Sequence, residues 1–282
     1  MNIITSPYDL TPIEKHDNIL FKRDDLFRPY EINSVNGGKL RQCIFLLKEN
    51  ANKKQIYAYS NLDSPQSPIV AAVCKNMNLS CNIFYGGSNL ESAMKHHMPR
   101  LVKFYNANIN FNCKSGRHSV LKHLINQIIT DDDFLVEYGI NLNNYKNALL
   151  LSTANQVQNL PKYLNNLVIT CGSGISAAGI LIGLEQYHKK VNNIFLINTA
   201  PNRDETIKKI LNQFNININF NTLDLFHTEN FKYEKKENFI FDKIKLHPNY
   251  EAKTLKYFLE TPYNKEKTLF WIIGAYPELD VK

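Results

Sequence analysis

Apolar positions along this chain come in short blocks, and the blocks alternate between strand-like and helix-like lengths. Ile56-Tyr57-Ala58-Tyr59 reads as a strand, and the apolar stretch over residues 69–77 as the helix after it. Cys81-Asn82-Ile83-Phe84-Tyr85 predicts the next strand, with a helix within residues 91–105. Asn108-Ile109-Asn110-Phe111 and the stretch 120–129 repeat the pair. Further on, Leu167-Val168-Ile169-Thr170 predicts a strand, a helix follows Gly174, and residues 193–198 predict another strand. Near the start, Leu40, Cys43, Ile44 and Leu47 recur at helical spacing, which predicts a helix opening at Lys39. Strand and helix in alternation with short connections imply an α/β chain, three-layered α/β/α, with mostly parallel sheets. The units over 51–132 form one run that exits at Asp131-Asp132-Asp133, so two lobes are expected. Residues 1–50 with 133–282 would make the larger lobe and 51–132 the smaller, with ligands bound in the cleft between them.

One turn in this pattern has chemistry of its own. The strand ending at Cys171 runs directly into Gly172-Ser173-Gly174-Ile175-Ser176, and a helical run rich in small residues follows. A strand, a glycine turn and a helix N-terminus bind phosphate, because glycines let backbone N–H groups approach the oxygens and the helix dipole favours negative charge. Ser173 and Ser176 add hydroxyl donors. A dinucleotide site would want an acid at the end of the next strand, which instead ends in Asn198-Thr199-Ala200. A nucleotide P-loop would want Lys and Ser or Thr after the second glycine, and both are missing. A monophosphate anchor needs only what is present, and a plain tight turn without ligand stays open beside it.

Composition narrows the class. The 282 residues are 44% hydrophobic and 21% charged, with 11 Gly and 11 Pro, which excludes a disordered or fibrous chain. No apolar run reaches the roughly 18 residues of a membrane span, and the first residues lack a basic region followed by an apolar core. A cytoplasmic protein without a membrane partner is therefore expected. The formal charge of +7 is spread over short lysine pairs such as Lys53-Lys54 and Lys189-Lys190. Such charge favours phosphate contacts but decides nothing alone; with no nucleic-acid motif to use it, an AT-rich genome accounts for the lysines and no nucleic-acid partner is expected. Five cysteines at wide, odd spacing fit neither a disulfide framework nor a metal site. Cys171 reads as a small hydrophobe ending a strand, with a reactive thiol as the other possibility.

Lys39 follows Asn36-Gly37-Gly38 at a helix start, where a ligand can come close and the dipole favours a neutral amine. At this point the sequence resembles the fold-type II pyridoxal-phosphate enzymes, the tryptophan synthase β-like superfamily. It is most similar to the branch of 1-aminocyclopropane-1-carboxylate deaminase and D-cysteine desulfhydrase. The segments 11–26, 37–47, 66–79 and 172–184 carry the match in the family's order, and His247-Pro248-Asn249-Tyr250-Glu251-Ala252-Lys253 resembles the branch's Tyr-Glu-Gly-Lys segment. The resemblance implies pyridoxal 5'-phosphate as cofactor, a small amino acid as substrate and a homodimer. It implies that Lys39 forms the internal aldimine and moves the substrate proton, and that Gly172, Ser173, Gly174, Ile175 and Ser176 hold the cofactor phosphate. Gln66 and Ser67 match the Gln-Ser of a Gln-Ser-Asn-His run beside the substrate, Ser67 as a catalytic residue. Tyr250 matches a substrate-facing catalytic tyrosine, and Glu251 the glutamate that pairs with the pyridine nitrogen. Such a carboxylate keeps the ring protonated and electron-accepting; the other reading of Glu251 is a solvated acid opening a helix.

The pattern also breaks. Pro68 and Ile69 replace the family's Asn and His, Gly38 replaces an Asn before the lysine, and Gly274-Ala275-Tyr276 stands where relatives tend to carry Thr-Gly-Gly. The resemblance therefore implies a lyase or deaminase that has diverged. The alternatives are a degenerate, non-catalytic relative kept for binding, and a pyridoxal-phosphate enzyme of nucleotide or nucleic-acid modification.

Overall fold

The computed structural model describes residues 3–30, 35–87, 89–111, 114–140, 146–232 and 235–277. In chain order they form β1 (Ile13–His16), β2 (Ile19–Arg23), α1 (Gly38–Lys48), β3 (Gln55–Tyr59), α2 (Gln66–Asn76), β4 (Ser80–Phe84), α3 (Leu90–Ala93), α4 (His97–Phe104), β5 (Asn108–Asn110), α5 (His118–Asn126) and β6 (Phe134–Val136). Then come α6 (Lys146–Ala154), β7 (Tyr163–Cys171), α7 (Ile175–Gln186), β8 (Lys190–Asn198), α8 (Asp204–Gln213), β9 (Asn221–Asp224), the short pair β10 (Ile240–Phe241) and β11 (Ile244–Lys245), α9 (Glu251–Glu260) and β12 (Thr268–Ile272). No helix among the described residues is long and apolar enough to cross a membrane.

Packing divides the chain into two units. The first comprises the described residues within 1–29, 36–41 and 147–276. Its sheet runs in the order β1-β2-β12-β7-β8-β9, parallel throughout except for the β1–β2 hairpin. The chain steps outward from β7 to β8 to β9, then returns to place β12 on the other side of β7. Because parallel crossovers are right-handed as a rule, crossovers in the two directions require α7 and α9 on opposite faces of the sheet. Ala252, Leu255 and Phe258 of α9 accordingly pack on Phe21, Val168, Phe195, Ile197 and Phe270. The alternate residues Leu167, Ile169, Leu196 and Leu269 are buried as well, and α7 is buried from Ile175 through Leu184. Burial on both faces is why these strands read as continuous apolar runs in the sequence. The reversal of direction between β12 and β7 makes their carboxyl ends a topological switch point, where the loops diverge and leave room for a ligand.

The second unit comprises the described residues within 30–35, 42–146 and 277–282. It has a fully parallel sheet in the order β5-β4-β3-β6. Leu121 and Ile125 of α5 pack on Tyr57, Tyr59 and Phe84. The single helix expected within 91–105 is instead two, α3 and α4. Pro99 is the physical reason. It has no N–H to give a preceding turn, so a fresh helix starts at His97 and places Pro99 in its first turn.

Candidate active site

The carboxyl ends of β2, β12 and β7 deliver three loops of the first unit. After β7, Cys171 ends the strand and Gly174 adopts φ +82°, which turns the chain into the first turn of α7. This left-handed conformation is open to glycine with little strain. Ser176 is buried and Ser173 half-buried. Lys39, in the first turn of α1 and half-buried, donates from Nζ to Ser173 Oγ at 3.3 Å. The expected lysine and the expected phosphate loop thus meet, although 134 positions separate them.

The loop after β12 ties the lysine to the expected glutamate through one residue. Ile273 accepts a hydrogen bond on its carbonyl from Gly38 N–H at 2.7 Å and donates its own N–H to Glu251 Oε1 at 3.3 Å. Asn36 clamps the same loop from both sides, Nδ2 donating to Ala275 O at 3.2 Å and Oδ1 accepting from Ala275 N–H at 2.8 Å. The reason for glycine before the lysine is visible here. A Cβ on Gly38 would lie 3.0 Å from Asp24 Oδ2, and one on Gly37, at φ +89°, would lie 2.2 Å from Ile273 O.

Glu251 is 4% exposed, so the solvated acid is overturned. Burial pushes its carboxyl up to about 8, and the Asp25 carboxylate adds to the rise against the backbone N–H groups of residues 251, 274 and 273. Tyr250 precedes it at the N-cap of α9 and turns its ring edge toward Gly172, within 3.8 Å of where a Cβ would stand. Behind Tyr250 lies the buried His247, ring centroids 4.7 Å apart. The Cys171 thiol is buried and pushed up to about 12 by that burial, which fits the small hydrophobe and not the reactive thiol. Cys43, Cys74 and Cys81 are likewise buried thiols outside any disulfide, and Cys113 lies outside the described residues.

Gln66 and Ser67 belong to the second unit, at the start of α2. Ser67 is fully buried and its Oγ lies 2.6 Å from Ser60 Oγ. The phenol of Tyr85, also fully buried, stands by both serines without a well-formed hydrogen bond to either. Both ends of the Gln66 amide are engaged by backbone, Nε2 donating to Glu137 O at 3.0 Å and Oε1 accepting from Gly139 N–H at 2.6 Å. Pro68 sits in the first turn of α2, where its missing N–H costs no helical bond.

Nothing in the apolar pattern announced the charged layer next to Gly38. Asp24 accepts from Thr11 Oγ1 at 2.6 Å and from Trp271 Nε1 at 3.0 Å, and lies 3.4 Å from Arg41 Nη1. Arg23 grips Asp25 through two hydrogen bonds of 2.9 and 2.8 Å and also reaches Glu14. Lys22, fully buried, donates to Thr11 O and Asn159 Oδ1, both at 2.7 Å, and burial brings its ammonium down to about 7. The available signal was four successive charges of both signs, Lys22 to Asp25, set between Phe21 and Leu26.

No family model matches the chain. It is 25% identical over 341 aligned residues to an O-seryl-dTMP PLP-dependent decarboxylase of Salmonella phage ViI, an alignment covering 95% of this chain and 80% of that protein. Among solved structures it is similar to an ACC deaminase homologue, with TM-score 0.74 and 16% identity over 95% of this chain and 90% of the other. It is also similar to serine racemase from Dictyostelium discoideum, with TM-score 0.61 and 14% identity over 96% and 93%. The chain thus shares the fold of the ACC deaminase homologue and of serine racemase, the α/β fold that the resemblance implied.

Proposed function

We propose that the chain is a pyridoxal-phosphate enzyme that decarboxylates an amino acid carried on a pyrimidine nucleotide. The approach of Lys39 Nζ to Ser173 Oγ in the glycine loop carries the reading, since a primary amine beside a phosphate cradle is what this cofactor requires. The phage decarboxylase, alike over nearly the whole chain, supports the choice of reaction and substrate.

The residues present fit the cofactor. The backbone and hydroxyls of Gly172, Ser173, Gly174, Ile175 and Ser176 would take the phosphate, Lys39 would attach covalently, and Glu251 would face the ring nitrogen. When bound, pyridoxal phosphate supplies an aldehyde for the substrate amine and a pyridine ring that accepts the electrons of a breaking Cα bond. Glu251 Oε holds a proton up to about pH 8, which suits a group that shares one with a ring nitrogen. Lys39 Nζ and the Tyr250 hydroxyl would be the base and acid at the substrate Cα, one of them returning the proton that replaces the carboxylate lost as carbon dioxide. Gln66 and Ser67 enter this proposal through the resemblance, as substrate contacts.

A second reading, deamination or other lyase chemistry on a small free amino acid, draws on the Tyr250–Glu251 pair, which matches the deaminase branch. Both readings stand on the lysine. Incubation with pyridoxal phosphate followed by borohydride reduction is expected to attach a pyridoxyl group to Lys39, and none in Lys39→Ala. A protein that gains neither absorption nor label would leave the non-catalytic relative as the answer. With cofactor loaded, carbon dioxide released from O-seryl-dTMP marks the decarboxylase; ammonia released from 1-aminocyclopropane-1-carboxylate or D-cysteine marks the second reading instead.

A further inference from the structure

A row of rings leads away from the lysine loop through the first unit. Tyr250, beside Gly172, packs on His247 at 4.7 Å between centroids, and His247 packs edge-on against Tyr276 at 5.3 Å. Lys236 Nζ lies over the Tyr276 ring, 5.9 Å from its centroid. Burial falls along the row, from the 3% exposure of His247 to the half-buried Tyr276 and the exposed Lys236.

The chemistry of the row changes along it. His247 Nδ1 accepts from Asn249 N–H at 3.3 Å, so the proton of the neutral ring sits on Nε2. Burial, with the lysines Lys236 and Lys253 nearby, brings its pKa down to about 3. The imidazole is thus a neutral, rigid spacer between two tyrosines, and the charge at the outer end of the row is positive. Lys253 is anchored on the carbonyls of Phe231 and Lys232 at 3.3 and 2.6 Å, and the nearby Glu237 carboxylate is engaged by Lys256 at 2.9 Å. An exposed ammonium over a partly buried aromatic ring matches a flat base that bears a phosphate, the base taking the ring face as the phosphate draws the flexible lysine off it. The ring offers stacking worth roughly 1–3 kcal/mol, and the ammonium offers charge.

We propose that Tyr276 and Lys236 receive the nucleotide part of the substrate, Tyr276 packing on the pyrimidine and Lys236 binding the phosphate, with His247 as a positioning residue that spaces Tyr276 from Tyr250. This inference rests on the nucleotide-bearing substrate of the reading above and adds the residues that recognise it.

The test is titration calorimetry of the full chain, incubated with pyridoxal phosphate, using dTMP and thymidine as probes. Lys236→Ala is expected to weaken dTMP about tenfold while leaving thymidine unchanged, and Lys236→Arg to restore dTMP. Tyr276→Leu is expected to weaken both probes. Equal dTMP affinity in wild type and both variants, or no dTMP binding by wild type at millimolar concentration, overturns the assignment. Equal losses of dTMP and thymidine in Lys236→Ala also overturn it, because the lysine would then support the fold and not the phosphate. Thermal unfolding of each variant keeps a misfolded protein from passing as a lost site, and Lys236→Arg decides the matter if Lys236→Ala is unstable. Cofactor attachment to Lys39 is read separately. If it fails while dTMP binding depends on Lys236, the enzyme reading falls and the nucleotide site stands; if it succeeds while dTMP binding is indifferent to both residues, only the nucleotide site falls.

Discussion

Glu251 shows how far one side chain's surroundings can reverse its character. In the sequence it is an acid at a helix start, where exposure and charge would be ordinary. In the fold it is covered by the loop after β12 and binds its proton far more tightly than an unfolded chain would, near pH 8 against an ordinary 4.5. Its stabilising effect in the cofactor-free protein is therefore full below about pH 4.5 and is lost as pH rises toward 8. Glu251→Gln removes that loss. The variant should gain on wild type between pH 5 and 8.5 by up to a few kcal/mol, at about 1.4 kcal/mol per pKa unit. Urea unfolding at the two pH values measures the gain, and a difference that does not grow with pH would refute it. The residue types at the site were legible because lysine after glycines and a glycine–serine turn each have a chemical reason to exist. Their partners were not. Ile273 and Asn36 act through backbone or a neutral amide and leave no mark in a sequence, and Ser60 and Tyr85 beside Ser67 look like any strand-end residues.

At the scale of elements, the junction between α1 and β12 has the least tolerance. Gly37 N–H donates to Phe27 O at 3.0 Å, its φ is +89°, and a Cβ would stand 2.2 Å from Ile273 O. Gly37→Ala must move the loop that also holds Glu251, so it should cost roughly 2–3 kcal/mol of stability and weaken cofactor attachment together. Thermal unfolding alongside borohydride labelling checks this, and an alanine variant with wild-type values for both would show the loop to be pliant. The helix α1 itself was readable from its stripe, since Leu40, Cys43, Ile44 and Leu47 are all buried as their spacing requires. The β1–β2 hairpin was not. Lys22 and Arg23 fill positions where a strand pattern would show apolar residues, Lys22 held there by Thr11 O and Asn159 Oδ1 and Arg23 by Asp25 and Glu14.

At the scale of the molecule, the sheet of the first unit depends on a strand from far along the chain. β12 is fully buried, pairs with β2 on one side and β7 on the other, and brings Trp271 onto Asp24. Deleting residues 268–272 should abolish cooperative unfolding of this unit and leave β7 open to protease, measurable by denaturant titration and by cleavage within Tyr163–Cys171. Retained protection would mean that β2 and β7 can pair without it. The parallel α/β class was legible because strands buried on both faces show as apolar runs, whereas strand order depends on contacts that no local pattern encodes. The position of β12 also governs how the protein is born. The glycine loop emerges from the ribosome several seconds before the strand that flanks it, at synthesis rates of about 5–20 residues per second. Over that interval β2 and β7 present unfilled apolar edges, the condition under which nascent chains stick to one another. Slower synthesis in the cold or added chaperone should therefore raise the soluble yield of this protein more than added cofactor does, and an equal response to both would refute this.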